Sequence, residues 1–327
     1  MSEQPGEKKM VDVFSDVDRE TAMTVNPAGF AVTELAAANP KIVTLTADLS
    51  NTLAEFTERF PERYIELGIA ETNSVSLASG LAACGYVPYI FSMAPFGVLK
   101  TAEQLRTDAD YNHLPVRMVG RLAGLAMGYF GTSHYAVEDI AIARTLNNTT
   151  VVAPADANSA IALIHATADL PGPVYIRMAE AADKVYDEVP AYEHGKWPQL
   201  RHGGDITLIG HGMGVGLAAA AAEVLFEHHS IEADVFDAAY LRPFDEEALV
   251  ATARKTGKVL TIEDHSIVGG LSTIVAETAG RRGLVVGLAQ CALPAEDLEV
   301  GVPAELYEFY GLTVDGVVAR ALELAKG

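Results

Sequence analysis

Segments typical of β-strands alternate with segments typical of α-helices along almost the whole chain, and turn residues separate them. Clear strand-like runs lie at Ile42–Thr46, Val174–Arg177 and Ala233–Asp237. Such alternation is the pattern of a parallel sheet that is covered by helices on both faces. The sequence therefore predicts an α/β fold.

The chain is long enough for two such sheets. It has 327 residues, of which 50% are hydrophobic, and this length favours two domains. The first alternating block begins at Asn26 and Pro27, a good N-cap followed by the residue favoured at the first helical position, and it ends near Asp183. We expect two doubly wound domains. The predicted parts are an N-terminal extension (1–22), a first domain (23–184), a linker rich in Glu, Pro, Tyr and His (185–203) and a second domain (204–327).

Composition limits the partners of this chain. The formal net charge of −21 disfavours nucleic acid and anionic membranes, because phosphate recognition needs clustered Lys and Arg. We find no apolar run long enough to span a bilayer and no signal-peptide core in residues 1–20, so a cytoplasmic protein is expected. Cys84 and Cys291 are predicted to be buried free thiols, and no metal ligands are expected in this chain.

One carboxylate has an unusual setting. Residues 63–71 read as a short strand that runs into a turn and delivers Glu71 to the start of a helix of small residues, predicted at 74–85. An acid beside a helix N-terminus usually just compensates the helix dipole. A second interpretation depends on the segments around it.

Several segments lie in one characteristic order around Glu71. They are Ala-Asp-Leu-Ser (47–50), Phe-Pro-Glu-Arg (60–63), Gly-Ile-Ala-Glu (68–71), Tyr-Val-Pro-Tyr (86–89) and Gly-Thr-Ser-His (131–134). This set resembles the pyrimidine-binding domain of the transketolase family of thiamine diphosphate enzymes. Residues 240–245, 263–270 and 310–313 look like signatures of the transketolase C-terminal domain. The resemblance implies a pyrimidine-binding fold followed by a transketolase C-terminal-like domain.

The resemblance also implies a cofactor site. The family glutamate at the position of Glu71 bonds the N1′ atom of the aminopyrimidine and favours its imino tautomer, best where water is excluded and the carboxyl pKa is raised. Apolar neighbours such as Leu67 and Ile69 would provide that environment, and Ile69 is expected to contact the cofactor. Phe96, at the start of a helix predicted over 96–111, matches the ring that stacks on the aminopyrimidine. Met93 takes a neighbouring aromatic position, although both side chains could equally be ordinary core.

The substrate positions match the family only in part. His134 matches the histidine that bonds the donor's oxygen beside the carbon under attack, a role that suits a group able to give or take a proton near neutral pH. Its alternative role is to cap the helix predicted over 137–146. Phe130, Leu122 and Val25 replace an aspartate, a histidine and an arginine of sugar-phosphate transketolases.

Two arginines are candidates for an anionic substrate group. Arg177 matches the family arginine that holds the substrate phosphate, or it simply pairs with an acidic neighbour such as Glu180. Arg121 is adjacent to the position of the lost histidine and is expected to compensate for it. His211, His265 and the glycine cluster at 210–216 are interpreted as structural.

A family feature is missing from the sequence. The Gly-Asp-Gly motif that holds the diphosphate and Mg²⁺ in the family does not occur. We therefore expect a partner, an N-terminal transketolase subunit, in an α₂β₂ heterotetramer that moves a two-carbon ketol unit from a keto donor to an aldehyde acceptor other than the standard pentose-phosphate pair. The alternatives are the beta subunit of a 2-oxoacid dehydrogenase-type decarboxylase and a non-catalytic regulatory subunit.

Overall fold

The computed structural model describes residues 26–179 and 184–326, so the predicted N-terminal extension, Val25 and Glu180 lie outside the described residues. Twelve strands, β1 to β12, occur in these two stretches. Their bounds are Ile42–Thr46, Tyr64–Glu66, Val87–Met93, Arg117–Arg121, Thr150–Val152, Val174–Arg177, Gln199–Arg201, Ile206–Gly210, Ala233–Asp237, Tyr240–Arg242, Lys258–Ser266 and Gly287–Leu293.

Two sheets organise these strands. The first has the order β10-β5-β6-β4-β3-β1-β2, and the second has the order β12-β11-β8-β9-β7. All pairings are parallel except those of β10 and β7. Every residue of β1, β6, β8 and β9 is buried, as expected where helices cover both faces of a parallel sheet. The predicted α/β fold with two open sheets is confirmed.

Eleven helices, α1 to α11, surround the sheets in the described stretches. Their bounds are Pro27–Ala38, Ala54–Arg59, Glu71–Ala83, Ala102–Gln104, Asp139–Ala143, Ala157–Thr167, Met213–His229, Glu246–Thr256, Leu271–Arg282, Pro303–Phe309 and Val314–Lys326. Asn26 caps α1 as predicted, because its Oδ1 accepts a hydrogen bond from the Gly29 N–H at 3.3 Å. None of the helices in residues 26–179 and 184–326 combines the length and apolar character needed to cross a bilayer.

The helix predicted over 96–111 is not regular. Wide π-type turns occupy Pro95–Leu99 and Leu105–Asp110, and only the short α4 lies between them. Threonine hydroxyls offer a local reason, because Thr101 Oγ1 donates to the Gly97 carbonyl at 2.5 Å and competes with the regular helical bonds.

The two halves of the chain are interlocked. Strand β10 belongs to the second half, yet it pairs antiparallel with β5 at the edge of the first sheet. Strand β7 falls inside the predicted linker and pairs with β9 in the second sheet. One hydrophobic cluster contains buried residues of both halves, among them Ile90 and Ile209. Packing between the halves is thus continuous rather than confined to a flexible joint.

The prediction for the two cysteines is half right. Cys291 is buried, and burial raises the pKa of its thiol to about 11. Cys84 is exposed, because it ends α3 at a surface turn that continues into Gly85.

Candidate active site

Glu71 is the first residue of α3 rather than a residue before it, which corrects the predicted helix start by three positions. The preceding residue, Ala70, provides no side-chain cap. The carboxylate is only 4% exposed. The positive end of the helix dipole favours an acid at this position, but burial of that acid requires a further partner.

That partner is Lys100, which the sequence analysis missed. Its Nζ lies 2.6 Å from Oε2 of Glu71, and the lysine side chain is 48% exposed. Ile69, expected to shield the carboxylate, is 75% exposed. The expectation of a purely apolar environment around Glu71 is therefore wrong for this chain, because an ammonium group neutralises the carboxylate. The only sequence signal was a single lysine in a stretch of small and apolar residues at 94–102.

An aromatic cluster brings three of the predicted site residues together. The rings of Phe96 and His134 meet edge to face with centroids 5.1 Å apart, and those of Phe130 and His134 stack at 4.6 Å. Phe130 is 58% exposed, so one face of the cluster is open to solvent. Ser133 Oγ lies 2.8 Å from Nδ1 of His134. Helix α5 begins after Glu138 without a side-chain cap, so His134 does not have the alternative capping role.

The carboxylate and the aromatic cluster lie on packed elements. Helix α3, which begins at Glu71, packs against the turn Pro95–Leu99 that carries Phe96, and this turn also packs against α5. Lys100 ends the same turn. The turn is therefore the element that joins the acid to the histidine.

Met93 and Arg121 are the last residues of neighbouring strands and pair directly in register. Both are partly buried. Parallel strands bring their carboxyl ends to one edge of a sheet, where ligands of α/β folds commonly bind. Leu122 follows with a positive φ of 57°, which turns the chain sharply away from the strand.

Arg177 is not placed to hold a substrate phosphate. Its side chain is fully buried, with Nε 2.9 Å from Asp139 Oδ2 and Nη1 2.7 Å from Asp264 Oδ1. Burial lowers the pKa of this guanidinium, but the two carboxylates more than compensate and raise it above the ordinary value. The predicted phosphate role is therefore corrected to an ion pair. Its acidic partners are Asp139 and Asp264, residues that the sequence analysis did not single out.

The residues interpreted as structural lie in the interior. His211 and His265 are fully buried, and burial lowers the pKa of His265. A side chain in place of Gly214 would collide with the backbone of Ile262, so close packing of α7 on the sheet accounts for that glycine.

The sequence matches two family descriptions, "Transketolase, pyrimidine binding domain" over residues 21–182 and "Transketolase, C-terminal domain" over residues 195–317. The chain belongs to the transketolase family. This family depends on thiamine diphosphate, and the resemblance inferred from the motifs around Glu71 is confirmed.

Similar proteins cover the transketolase-like chain almost end to end. One of the two subunits of an apulose-4-phosphate transketolase from Phocaeicola vulgatus is 35% identical over 297 residues, 90% of this chain and 94% of that protein. The 6-deoxy-6-sulfo-D-fructose transketolase subunit SqwH of Clostridium sp. (strain MSTE9) is 35% identical over 300 residues, 90% of this chain and 91% of that protein.

A solved structure described as "Split gene transketolase, inactive beta4 tetramer" has a TM-score of 0.85 at 36% identity, covering 92% of this chain and 97% of that one. The chain is accordingly a C-terminal subunit of a split transketolase. The interpretation as a decarboxylase beta subunit is not favoured by these relatives.

Proposed function

We propose that this subunit supplies the pyrimidine side of a thiamine diphosphate site and the substrate histidine of a ketol transferase with a specialised sugar substrate. The observation that carries the proposal is the arrangement around the turn Pro95–Leu99. This turn packs against the helix of the buried Glu71 and places Phe96 against His134. An acid, an aromatic ring and a titratable histidine thus belong to one continuous site.

The side chains present fit the aminopyrimidine half of the cofactor. Glu71 would hold the N1′ nitrogen through a shared proton, because its carboxylate is buried yet already engages a nitrogen cation, Lys100. Phe96 and Met93 would pack on the ring and exclude water. Ile69, exposed on the turn before Glu71, would contact the cofactor from the open side. When bound, thiamine diphosphate supplies the electron sink that a two-carbon transfer requires.

His134 would bind the oxygen of the keto donor. Its Nδ1 is engaged by Ser133, so Nε2 is the nitrogen that we propose for the substrate. Edge-to-face contact with Phe96 and stacking with Phe130 fix the plane of the imidazole. A fixed ring can give or take a hydrogen bond at one defined point, which is what positioning of a donor requires.

The substrate is proposed to differ from the standard pentose-phosphate pair. Phe130 and Leu122 occupy positions that are polar in sugar-phosphate transketolases, and Phe130 forms an exposed apolar surface over His134. Arg121 remains the candidate for an anionic end of the substrate, since Arg177 is engaged elsewhere. The names of the two relatives, which specify apulose-4-phosphate and 6-deoxy-6-sulfo-D-fructose, support an unusual sugar.

The partner is proposed to be an N-terminal transketolase subunit that holds the diphosphate and Mg²⁺, in an α₂β₂ complex in the cytoplasm. The absence of Gly-Asp-Gly from the sequence supports this division of the site. The relatives are themselves named as subunits, and the β₄ assembly of the solved structure is described as inactive.

The decisive experiment is co-purification with the N-terminal subunit, followed by mass spectrometry of products from a panel of keto donors and aldehydes. Products two carbons longer than the aldehyde, formed without CO₂, would support the proposal. The Glu71→Gln complex is the matched control. Release of CO₂ from pyruvate would instead identify a decarboxylase, and a complex without turnover would identify a regulatory subunit.

A further inference from the structure

We infer that the second half of the chain positions the substrate loop that carries His134, and that the buried Arg177–Asp264 pair is the main fixing point. Arg177 is thus a positioning residue for the reaction rather than a ligand of the substrate. The inference rests on the proposed function only in that His134 is taken to bind the donor.

Arg177 connects three parts of the molecule. It is the last residue of β6 in the first sheet, and its Nε donates to Asp139, which begins α5 just after the His134 segment. Its Nη2 donates to the carbonyl of Ala136, two residues after His134, at 3.1 Å. Its Nη1 and Nη2 also donate to Oδ1 and the carbonyl of Asp264 on β11 of the second sheet, at 2.7 and 3.0 Å.

This geometry requires a guanidinium. The planar fork directs donors at a side chain, a backbone carbonyl and a third residue at once, which the single ammonium of a lysine does not do. All three charged groups are fully buried, so each depends on the others for compensation. Burial raises the pKa of Asp264, but Arg177 more than offsets this, and the carboxyl pKa lies below its ordinary value. Asp264 therefore remains an ionised partner at neutral pH.

The second half holds the same loop at further points. The Ser266 N–H donates to the Val137 carbonyl at 2.8 Å, and the Gly301 N–H donates to the Gly128 carbonyl at 3.1 Å. The Leu125 N–H donates to the hydroxyl of Tyr307 at 3.1 Å. These contacts span both sides of His134, and every one of them comes from the second half.

Packing gives the loop the same attachment. Leu125, Tyr135 and Val137 are buried in the hydrophobic cluster of the second half, together with Leu260 and Leu306 among others. Gly124 has a φ of +66°, and a side chain there would collide with the Asp264 carboxylate. Only glycine permits this approach without strain. The loop is thus part of the core of the second domain, although its sequence belongs to the first.

The consequence concerns His134 itself. The imidazole is fixed on one side by the rings of Phe96 and Phe130, and its backbone is fixed by the second half through Arg177 and Ala136. A misplacement of about 1 Å at such a group commonly costs about 10²-fold in rate. The second half would therefore control donor use without touching the cofactor or Glu71.

Asp264→Asn tests the inference, because it removes the charge but keeps the shape. The matched control is Asp234→Asn, another buried acid of the second half, which bonds Lys255 and Thr252 of α8, both at 3.0 Å, rather than the loop. The first measurement is amide hydrogen exchange of residues 128–137 in the full chain and in the complex with its partner. We expect about 10–100-fold faster exchange in Asp264→Asn and no change in Asp234→Asn.

The second measurement separates two steps in the reconstituted complex. In Asp264→Asn, kcat/KM for the keto donor should fall about 10²-fold, while hydrogen exchange at C2 of the bound cofactor, which depends on Glu71, stays within about twofold. Arg177→Lys should reproduce both effects. A merely structural role would lower both activities together with the amount of folded protein.

A milder variant keeps the inference testable if the buried substitutions prevent folding. Tyr307→Phe removes one hydroxyl acceptor and keeps the ring in place, and faster exchange of the Leu125 amide is expected. Unchanged exchange of the loop in the folded variants would overturn the inference while leaving the proposed function intact. Faster loop exchange with an unchanged donor kcat/KM would show that His134 does not bind the donor, which overturns both.

Discussion

The Nζ atom of Lys100 lies 2.6 Å from Oε2 of Glu71, an ion pair between a half-exposed lysine and a buried carboxylate. The carboxylate proposed to hold the cofactor ring therefore has a cationic partner in this subunit. Lys100 ends the turn that also carries Phe96, so a single turn provides both the partner of the acid and the ring beside the histidine.

Lys100→Met should destabilise the subunit, because it leaves the Glu71 carboxylate buried without its partner. We expect a loss of about 1–2 kcal/mol in the free energy of unfolding, reduced from the value for a fully buried pair by the exposure of the lysine. Urea unfolding provides the measurement, and Lys100→Arg, which retains the charge, is the control. In the double variant with Glu71→Gln most of this loss should disappear. A loss that persists there would mean that the pair is not its cause.

Glu71→Gln should keep the fold but slow proton loss at the cofactor, because an amide does not share a proton with N1′. Loss of one proton-transfer partner commonly costs about 10²–10⁴-fold in rate. Hydrogen–deuterium exchange at C2 of the cofactor in the reconstituted complex measures this step without substrate. An unchanged exchange rate would mean that another carboxylate lies at the pyrimidine.

Leu122→His combined with Phe130→Asp should shift acceptor preference toward ribose 5-phosphate. The positive φ of Leu122 suits histidine better than leucine, so the change is compatible with the backbone. A polar site can reject an analogue that lacks its bonding group by about 10⁴-fold, whereas an apolar pocket discriminates by about 10–200-fold per methylene. The comparison is kcat/KM for phosphorylated and unphosphorylated aldehydes. Ordinary efficiency of the unmodified complex with ribose 5-phosphate would contradict the altered pocket.

Sequence patterns predicted the elements whose cause is local. The buried strand Ala233–Asp237 and the helix Val314–Lys326 have the predicted bounds, because apolar runs and helical periodicity determine them. The three-residue strands Gln199–Arg201 and Tyr240–Arg242 were missed, since each exists only through pairing with a distant strand.

The candidate site divides in the same way. Phe96, Phe130 and His134 were singled out by their place in the motifs, and the structure brings their rings together. Lys100 and the partners of Arg177 were not found. The Lys100–Glu71 contact spans 29 residues and the Arg177–Asp264 contact spans 87, and a single sequence contains no information on which distant charges meet.

Asp237 provides a test of how the segment after residue 184 is anchored. Its carboxylate is fully buried and accepts hydrogen bonds from the hydroxyls of Tyr186 and Tyr192, both at 2.7 Å. Burial raises its pKa from the ordinary 3.8 to about 6, despite those two hydrogen bonds; the nearby Asp156 adds to this rise and His211 opposes it. The folded state therefore retains a proton that the unfolded chain has lost.

The sign of the pH effect follows from this difference. Between pH 4 and 6 the folded state binds more protons at Asp237 than the unfolded state, so the contribution of this residue to stability falls as pH rises and is constant above the folded pKa. Between pH 5 and 7 the wild type should lose about 1 kcal/mol of unfolding free energy relative to Asp237→Asn, whose amide does not titrate. Urea unfolding of both proteins above the pI of 4.7 measures it. Tyr192→Phe removes a bond to the ionised form, so it should raise the pKa further and move the loss to higher pH. A stability difference that does not change with pH would show that Asp237 is ionised throughout this range, held by the two tyrosines alone.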